Sequence, residues 1–154
     1  MSLLGLLPVT QALAQTKGVP PVIQAGLDVY LGQGAAAAVK AWLKDSPVER
    51  DAPLISNTTA GLLKTESSYG RFVGHEVLQS ARVGSRAERT YVMLFFERGP
   101  LYVSFDTYRS SKGWIVTGFS FNTSPDAILP RSQFEGTGPR VLPAPDRRDP
   151  DQPL

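Results

Sequence analysis

Tyr91-Val92-Met93-Leu94-Phe95-Phe96 is the run whose reading decides the fold of this 154-residue chain. Val92, Leu94 and Phe96 alternate with Tyr91, Met93 and Phe95, so a strand here is apolar on both faces. Gly99-Pro100 then turns the chain. In the next run Leu101, Val103 and Phe105 alternate with Tyr102, Ser104 and Asp106. After Ser110-Ser111-Lys112-Gly113 comes a third run, Trp114 to Phe121. Apolar alternation bounded by Gly, Pro and Ser predicts strands joined as hairpins, here an antiparallel meander.

A sheet with one wet face alternates apolar with polar residues, and the first of these strands does not. One face goes to the core, so the other needs a cover. Two covers fit the sequence. One is a second copy of the chain, giving a homodimer through that face. The other is the segment around Ile128-Leu129, folded back over Tyr91, Met93 and Phe95.

Upstream the period changes. Arg71 to Val83 reads as a preceding strand, with Val73, His75, Val77 and Gln79 on one face and Phe72, Gly74, Glu76 and Leu78 on the other. Before Tyr69-Gly70 the apolar spacing is helical. Ile23, Leu27, Tyr30 and Leu31 make one stripe, and Ala35, Ala38, Val39, Trp42 and Leu43 make a second. Gly32-Gln33-Gly34 separates them, and the second helix ends before Pro47. Asp51-Ala52-Pro53 is a helix start, with Asp51 placed to cap and Pro53 tolerated in the first turn. That third helix extends to about Ser67, weakened by Asn57, Thr58, Thr59 and Gly61. Helices followed by strands predict an α+β domain over residues 20–130.

The two ends read differently. Leu3 to Val9 is a short apolar stretch, and Ala12-Leu13-Ala14 fits the small-residue cleavage pattern of a secretory signal over residues 1–14, with cleavage before Gln15. No Lys or Arg precedes the apolar stretch, a departure from that pattern. The expected location is periplasmic or secreted. From Arg131 to Leu154, Pro and Gly recur without periodicity and large apolar residues are few, which predicts a disordered or extended tail.

Composition narrows the chemistry. The chain is 42% hydrophobic and 19% charged, ordinary values for a domain with a buried core. Its net charge of +2 carries no basic footprint, and Arg82, Arg86 and Arg89 read as part of a polar turn, so nucleic acid is not expected as a partner. With no cysteine, disulfides, Cys-ligated zinc and thiol nucleophiles are excluded. No apolar run approaches the ~20 residues of a membrane-spanning helix.

Three segments carry a resemblance: Gly34-Ala35-Ala36-Ala37-Ala38-Val39-Lys40-Ala41-Trp42-Leu43, Tyr69-Gly70-Arg71-Phe72-Val73-Gly74-His75-Glu76-Val77, and Gly113-Trp114-Ile115-Val116-Thr117-Gly118-Phe119-Ser120-Phe121-Asn122. With the helix-then-meander order, they resemble the NTF2-like (cystatin-like, cone-shaped) superfamily, and within it a group of small exported bacterial proteins. The resemblance implies a sheet wrapped around a long helix, a conical pocket, and a convex face that often pairs with a second subunit. Enzymes of the superfamily place an Asp, often with Tyr, inside the cone. Here Asp106, Tyr91 or Tyr108 would have to face inward, and no motif matches residue by residue.

The individual candidates are few. His75 is the only histidine and can titrate near neutral pH, but its neighbour Glu76 points to the opposite face of a strand. Asp106 meets His75 only in a suitable strand register. One His and dispersed carboxylates supply no metal-ligand set, and no cofactor is expected. Gly32-Gln33-Gly34-Ala35-Ala36-Ala37 matches a dinucleotide fingerprint in letters alone, since a helix rather than a strand precedes it. Trp42, Tyr69, Tyr91 and Trp114, with His75 and Asp106, are the candidate lining of an apolar pocket with polar handles. The expectation is a non-enzymatic binding module for a small apolar or amphipathic ligand. Its rivals are an acid–base enzyme of isomerase or hydrolase type working in the cone through Asp106 or His75, and an interaction module of the cell envelope.

Overall fold

A computed structural model describes residues 19–134. The candidate signal segment, residues 1–14, and all but the first residues of the expected tail lie outside them. Three helices come first: α1 (Pro21–Gln33), α2 (Ala35–Leu43) and α3 (Ala52–Tyr69). Four strands follow: β1 (Phe72–Val83), β2 (Ala87–Phe96), β3 (Gly99–Ser110) and β4 (Gly113–Asn122). They form one antiparallel sheet in the order β1-β2-β3-β4, so every neighbour is a hairpin partner. Two short 3-10 turns, Pro125–Ala127 and Arg131–Gln133, end the described chain.

The boundaries have local causes. Pro21 opens α1 at a position where a missing N–H costs nothing. Gly34, at φ 85°, stops α1 and lets α2 begin one residue later, a joint that a side chain would strain. Asp51 caps α3 as its residue type predicts, its Oδ1 accepting from the Leu54 N–H at 3.0 Å.

Register sorts the strand residues by face. Glu88, Thr90, Val92, Leu94 and Phe96 of β2 lie opposite Thr107, Phe105, Val103, Leu101 and Gly99 of β3. Most of these are buried, and this face meets the helices. The core joins Ile23, Leu27, Tyr30, Ala38, Val39, Trp42 and Leu62 from the helices to Val92, Leu94, Leu101, Val103, Phe105 and Val116 from the sheet. Fully removing such side chains from water stabilises the fold by about 1.5–3 kcal/mol each.

The far face of β2 carries Arg89, Tyr91, Met93 and Phe95, opposite Asp106, Ser104, Tyr102 and Pro100. It is the two-sided apolarity expected of this strand. Tyr91 and Ile115 are buried on this side, yet neither belongs to the core cluster.

Simple alternation fails in β1. Register shifts fall between Phe72 and Gly74 and between Val77 and Gln79. Phe72, His75 and Val77 pair with Phe96, Leu94 and Val92 and therefore share the helix-facing side, whereas sequence parity put Phe72 opposite the other two. Each extra residue moves the next side chain to the other face and bends the strand. Two of the three arginines also depart from expectation: Arg82 lies within β1 and Arg89 within β2, and only Arg86 is in the turn.

Candidate functional site

The start of α3, the end of α2 and the middle of β4 do not close completely. Between them lies a cavity of about 220 Å³. Trp42 and Phe119 form its aromatic part, with ring centroids 5.2 Å apart and planes at 28°. Val39 and Leu43 come from α2, Val48 from the connection to α3, and Leu54 from the first turn of α3. Thr58 and Thr117 are the only side chains in the lining with a polar atom besides the indole, and none of the lining side chains titrates.

Trp42 is held from behind. Its indole N–H donates to the Ile23 carbonyl at 3.1 Å, and the Phe105 ring stands edge-on at 5.2 Å. On the other wall, a register shift between Asp106 and Thr107 leaves Thr117 as an extra residue in β4. Its hydroxyl donates to the Asp106 carbonyl at 3.3 Å. The bulge and Gly118 give the cavity its rim, and the Asp51 cap fixes where Leu54 sits on the opposite side. The chemistry on offer is shape and apolar contact, with two hydroxyls for orientation.

Of the six residues expected to line a pocket, Trp42 alone lines this one. Tyr69 lies at the end of α3 and lines a separate cleft with Gly61, Lys64, Leu101 and Phe121. Asp106 lines a cleft at the far end of the sheet with Arg89, Ala87 and Tyr108. His75 is half-buried on the helix-facing side of β1. Tyr91 is on the far face, and Trp114 is half-buried at the start of β4 beside Arg109. None of these last three is among the lining of the four principal clefts.

His75 and Asp106 face opposite sides of the sheet, so they form no dyad. Asp106 is also engaged: Arg89 grips both its oxygens, Nε at 2.6 Å and an Nη at 2.8 Å. That carboxylate, together with the Tyr91 phenol, holds the Arg89 guanidinium well above its usual pKa. Among the described residues no three His, Asp or Glu side chains gather as a metal would require. No described helix is long and apolar enough to cross a membrane.

Val48, Leu54, Thr58 and Phe119 escaped sequence reasoning because they come from three separate elements. One signal was available. The bulge that carries Thr117 to the cavity rim follows from Thr117-Gly118 interrupting an otherwise apolar stretch, since Gly inside a strand marks such places.

A crystal structure from Nostoc punctiforme, described as a domain of unknown function with a cystatin-like fold, is similar to this chain. Identity is 12% and the TM-score 0.45, over 73% of this chain and 77% of that one. No protein-family profile and no curated protein matches the chain. The described residues form an α+β domain of three helices packed on an open antiparallel sheet.

Proposed function

We propose that this chain is an exported, non-enzymatic binding module that holds a small apolar or amphipathic molecule between α2, α3 and β4. The observation that carries the reading is the lining of the cavity: apolar and aromatic, two threonine hydroxyls, and no titratable group. Acid–base catalysis needs a positioned proton donor or acceptor, which this lining does not supply. At about 220 Å³ the space lies below the ~300–1,000 Å³ of drug-sized sites, which limits the ligand to a small one.

Trp42 supplies the test. A short bromoalkane quenches indole emission on contact, so 1-bromohexane is expected to quench wild-type fluorescence saturably. The quenching persists in Trp114→Phe, which leaves Trp42 as the reporter, and is lost in Thr58→Phe, which fills the cavity. Unchanged emission at saturating bromohexane would sink the reading. Export rests on Ala12-Leu13-Ala14 and is checked separately: a mature protein beginning at Gln15 is expected outside the cytoplasm of the native host.

A further inference from the structure

Tyr30 is 3% exposed, and its phenol oxygen is buried without a hydrogen-bond partner. The ring itself is well placed, stacked on Phe72 with centroids 4.4 Å apart and edge-on to Trp42 and Phe96. The hydroxyl therefore sits at the end of a rigid aromatic cluster, and leaving a buried donor unmade is costly. Burial first, then interaction with the Glu66 carboxylate, pushes the phenol pKa up: Glu66 is the acceptor the hydroxyl faces, although the two fall short of a closed hydrogen bond.

Both residues line a cleft of about 430 Å³ on the side of the helices away from the proposed cavity. Leu31 and Val73, 63% and 52% exposed, form apolar rims, and the glycines Gly32 and Gly34 leave its wall open. Glu66 is half-buried, and among the described residues its carboxylate enters no ion pair, the Tyr30 phenol being the group that acts on it. Arg71 borders the cleft but is committed elsewhere, its Nε and an Nη both at 3.1 Å from one Glu97 oxygen.

The helix ends set the sign of the field. α1 ends here at Gln33 and α3 ends here at Tyr69, and neither carries a basic residue in its last turn. Helix C-termini carry about half a negative charge each and favour cations; Glu66, in the last turn of α3, adds a full one where a carboxylate is disfavoured. α2 begins at the same place with the opposite partial charge, but one N-terminus does not offset two C-termini and a carboxylate. The free lone pairs of the phenol oxygen, a carboxylate in no ion pair and two C-termini all favour a positively charged hydrogen-bond donor, and drawing Glu66 in gives the phenol O–H its acceptor. The two apolar rims want a short hydrocarbon attached to it.

We propose that the cleft between the ends of α1 and α3 and the start of β1 binds an organic ammonium group with a short apolar body. The ammonium donates to Glu66 and to the Tyr30 oxygen, and its hydrocarbon lies between Leu31 and Val73. This site is separate from the apolar cavity and does not depend on it.

Hexylammonium chloride is the probe, hexan-1-ol its uncharged control, and amide shifts of the ¹⁵N-labelled protein the readout. Hexylammonium is expected to shift the Gly32, Gly34 and Val73 amides saturably, and hexan-1-ol to leave them in place. Glu66→Gln is expected to weaken binding at least about tenfold. Tyr30→Phe is expected to weaken it while raising the Tm of the ligand-free protein. That pairing separates a binding role from a packing one. Shifts confined to Val48, Leu54 and Thr117 would report the other cavity and overturn this proposal. So would equal shifts with hexan-1-ol, wild-type affinity in Glu66→Gln, or a lowered Tm in Tyr30→Phe.

Discussion

Gly26 of α1 has no room for a side chain, because Trp42 of α2 occupies the place. A Cβ on Gly26 would lie 2.1 Å from the indole ring, far inside contact distance. The absence of that atom lets the indole lie flat on α1 and reach the Ile23 carbonyl. Gly26→Ala would ordinarily favour a helix by about 1 kcal/mol. Here overlap wins, and a loss of about 2–3 kcal/mol is expected from overpacking. Urea unfolding measures it, and a neutral or stabilising outcome would contradict the packing described.

Tyr30→Phe removes the buried hydroxyl and keeps the ring. The cost of an unpaired buried donor is about 1–3 kcal/mol, so the variant is expected to gain on the order of 1 kcal/mol in denaturant unfolding. A loss of stability would mean that the phenol is already bonded in the free protein.

The same phenol predicts an alkaline limit. Burial and then Glu66 raise its pKa above the ordinary 10.0. A group whose folded pKa is raised holds its proton more firmly in the native state than in the unfolded chain. Its contribution is therefore whole below pH 10 and falls as pH climbs beyond it. Wild-type stability is expected to decline above about pH 10 more steeply than that of Tyr30→Phe. Parallel curves would count against the buried phenol as the cause.

Asp106→Asn tests the acid–base reading through its stability cost. The Arg89–Asp106 pair is bidentate but almost half exposed on both sides. Exposed pairs contribute little, so the substitution is expected to cost less than about 1 kcal/mol and to leave bromohexane binding unchanged. A larger loss, or lost binding, would restore Asp106 to the site.

The far face of the sheet predicts self-association. Tyr91, Met93 and Phe95 of β2 lie beside Pro100 and Tyr102 of β3, and among the described residues the core shared with α1, α2 and α3 lies on the other side. Sedimentation equilibrium is expected to give a dimer, and Met93→Glu a monomer with the Tm otherwise kept. Monomeric wild-type protein would leave Ile128 and Leu129, half-buried outside the core cluster, as the remaining cover.

Much of this was legible in the residues. Pro21 and Asp51 begin helices and Gly34 and Gly70 end them for reasons that act locally, and local causes can be read in a sequence. The alternation in β2 and β3 is unbroken, so their faces followed directly. β1 failed because Val73 and Leu78 are apolar like their neighbours, and nothing in their type says that a strand slips there. The cavity was hidden for a different reason. It is the space left between three elements, and Leu54, Thr58 and Phe119 meet only after packing. Gly26 shows the same limit: in sequence it weakens a helix, and in the fold it receives Trp42.

The order of elements has a consequence for synthesis. Trp42 is made early, but two of its ring neighbours, Phe105 and Phe119, belong to β3 and β4. A nascent chain that has emerged only as far as α3 can pack the indole on α1, but the sides of Trp42 and of the helices that meet the sheet have nothing to cover them. Each later hairpin adds its strand to the previous one, and the aromatic cluster closes only when β4 arrives. Folding is therefore expected to wait for nearly the whole domain, which leaves the early chain open to chaperones for most of its translation.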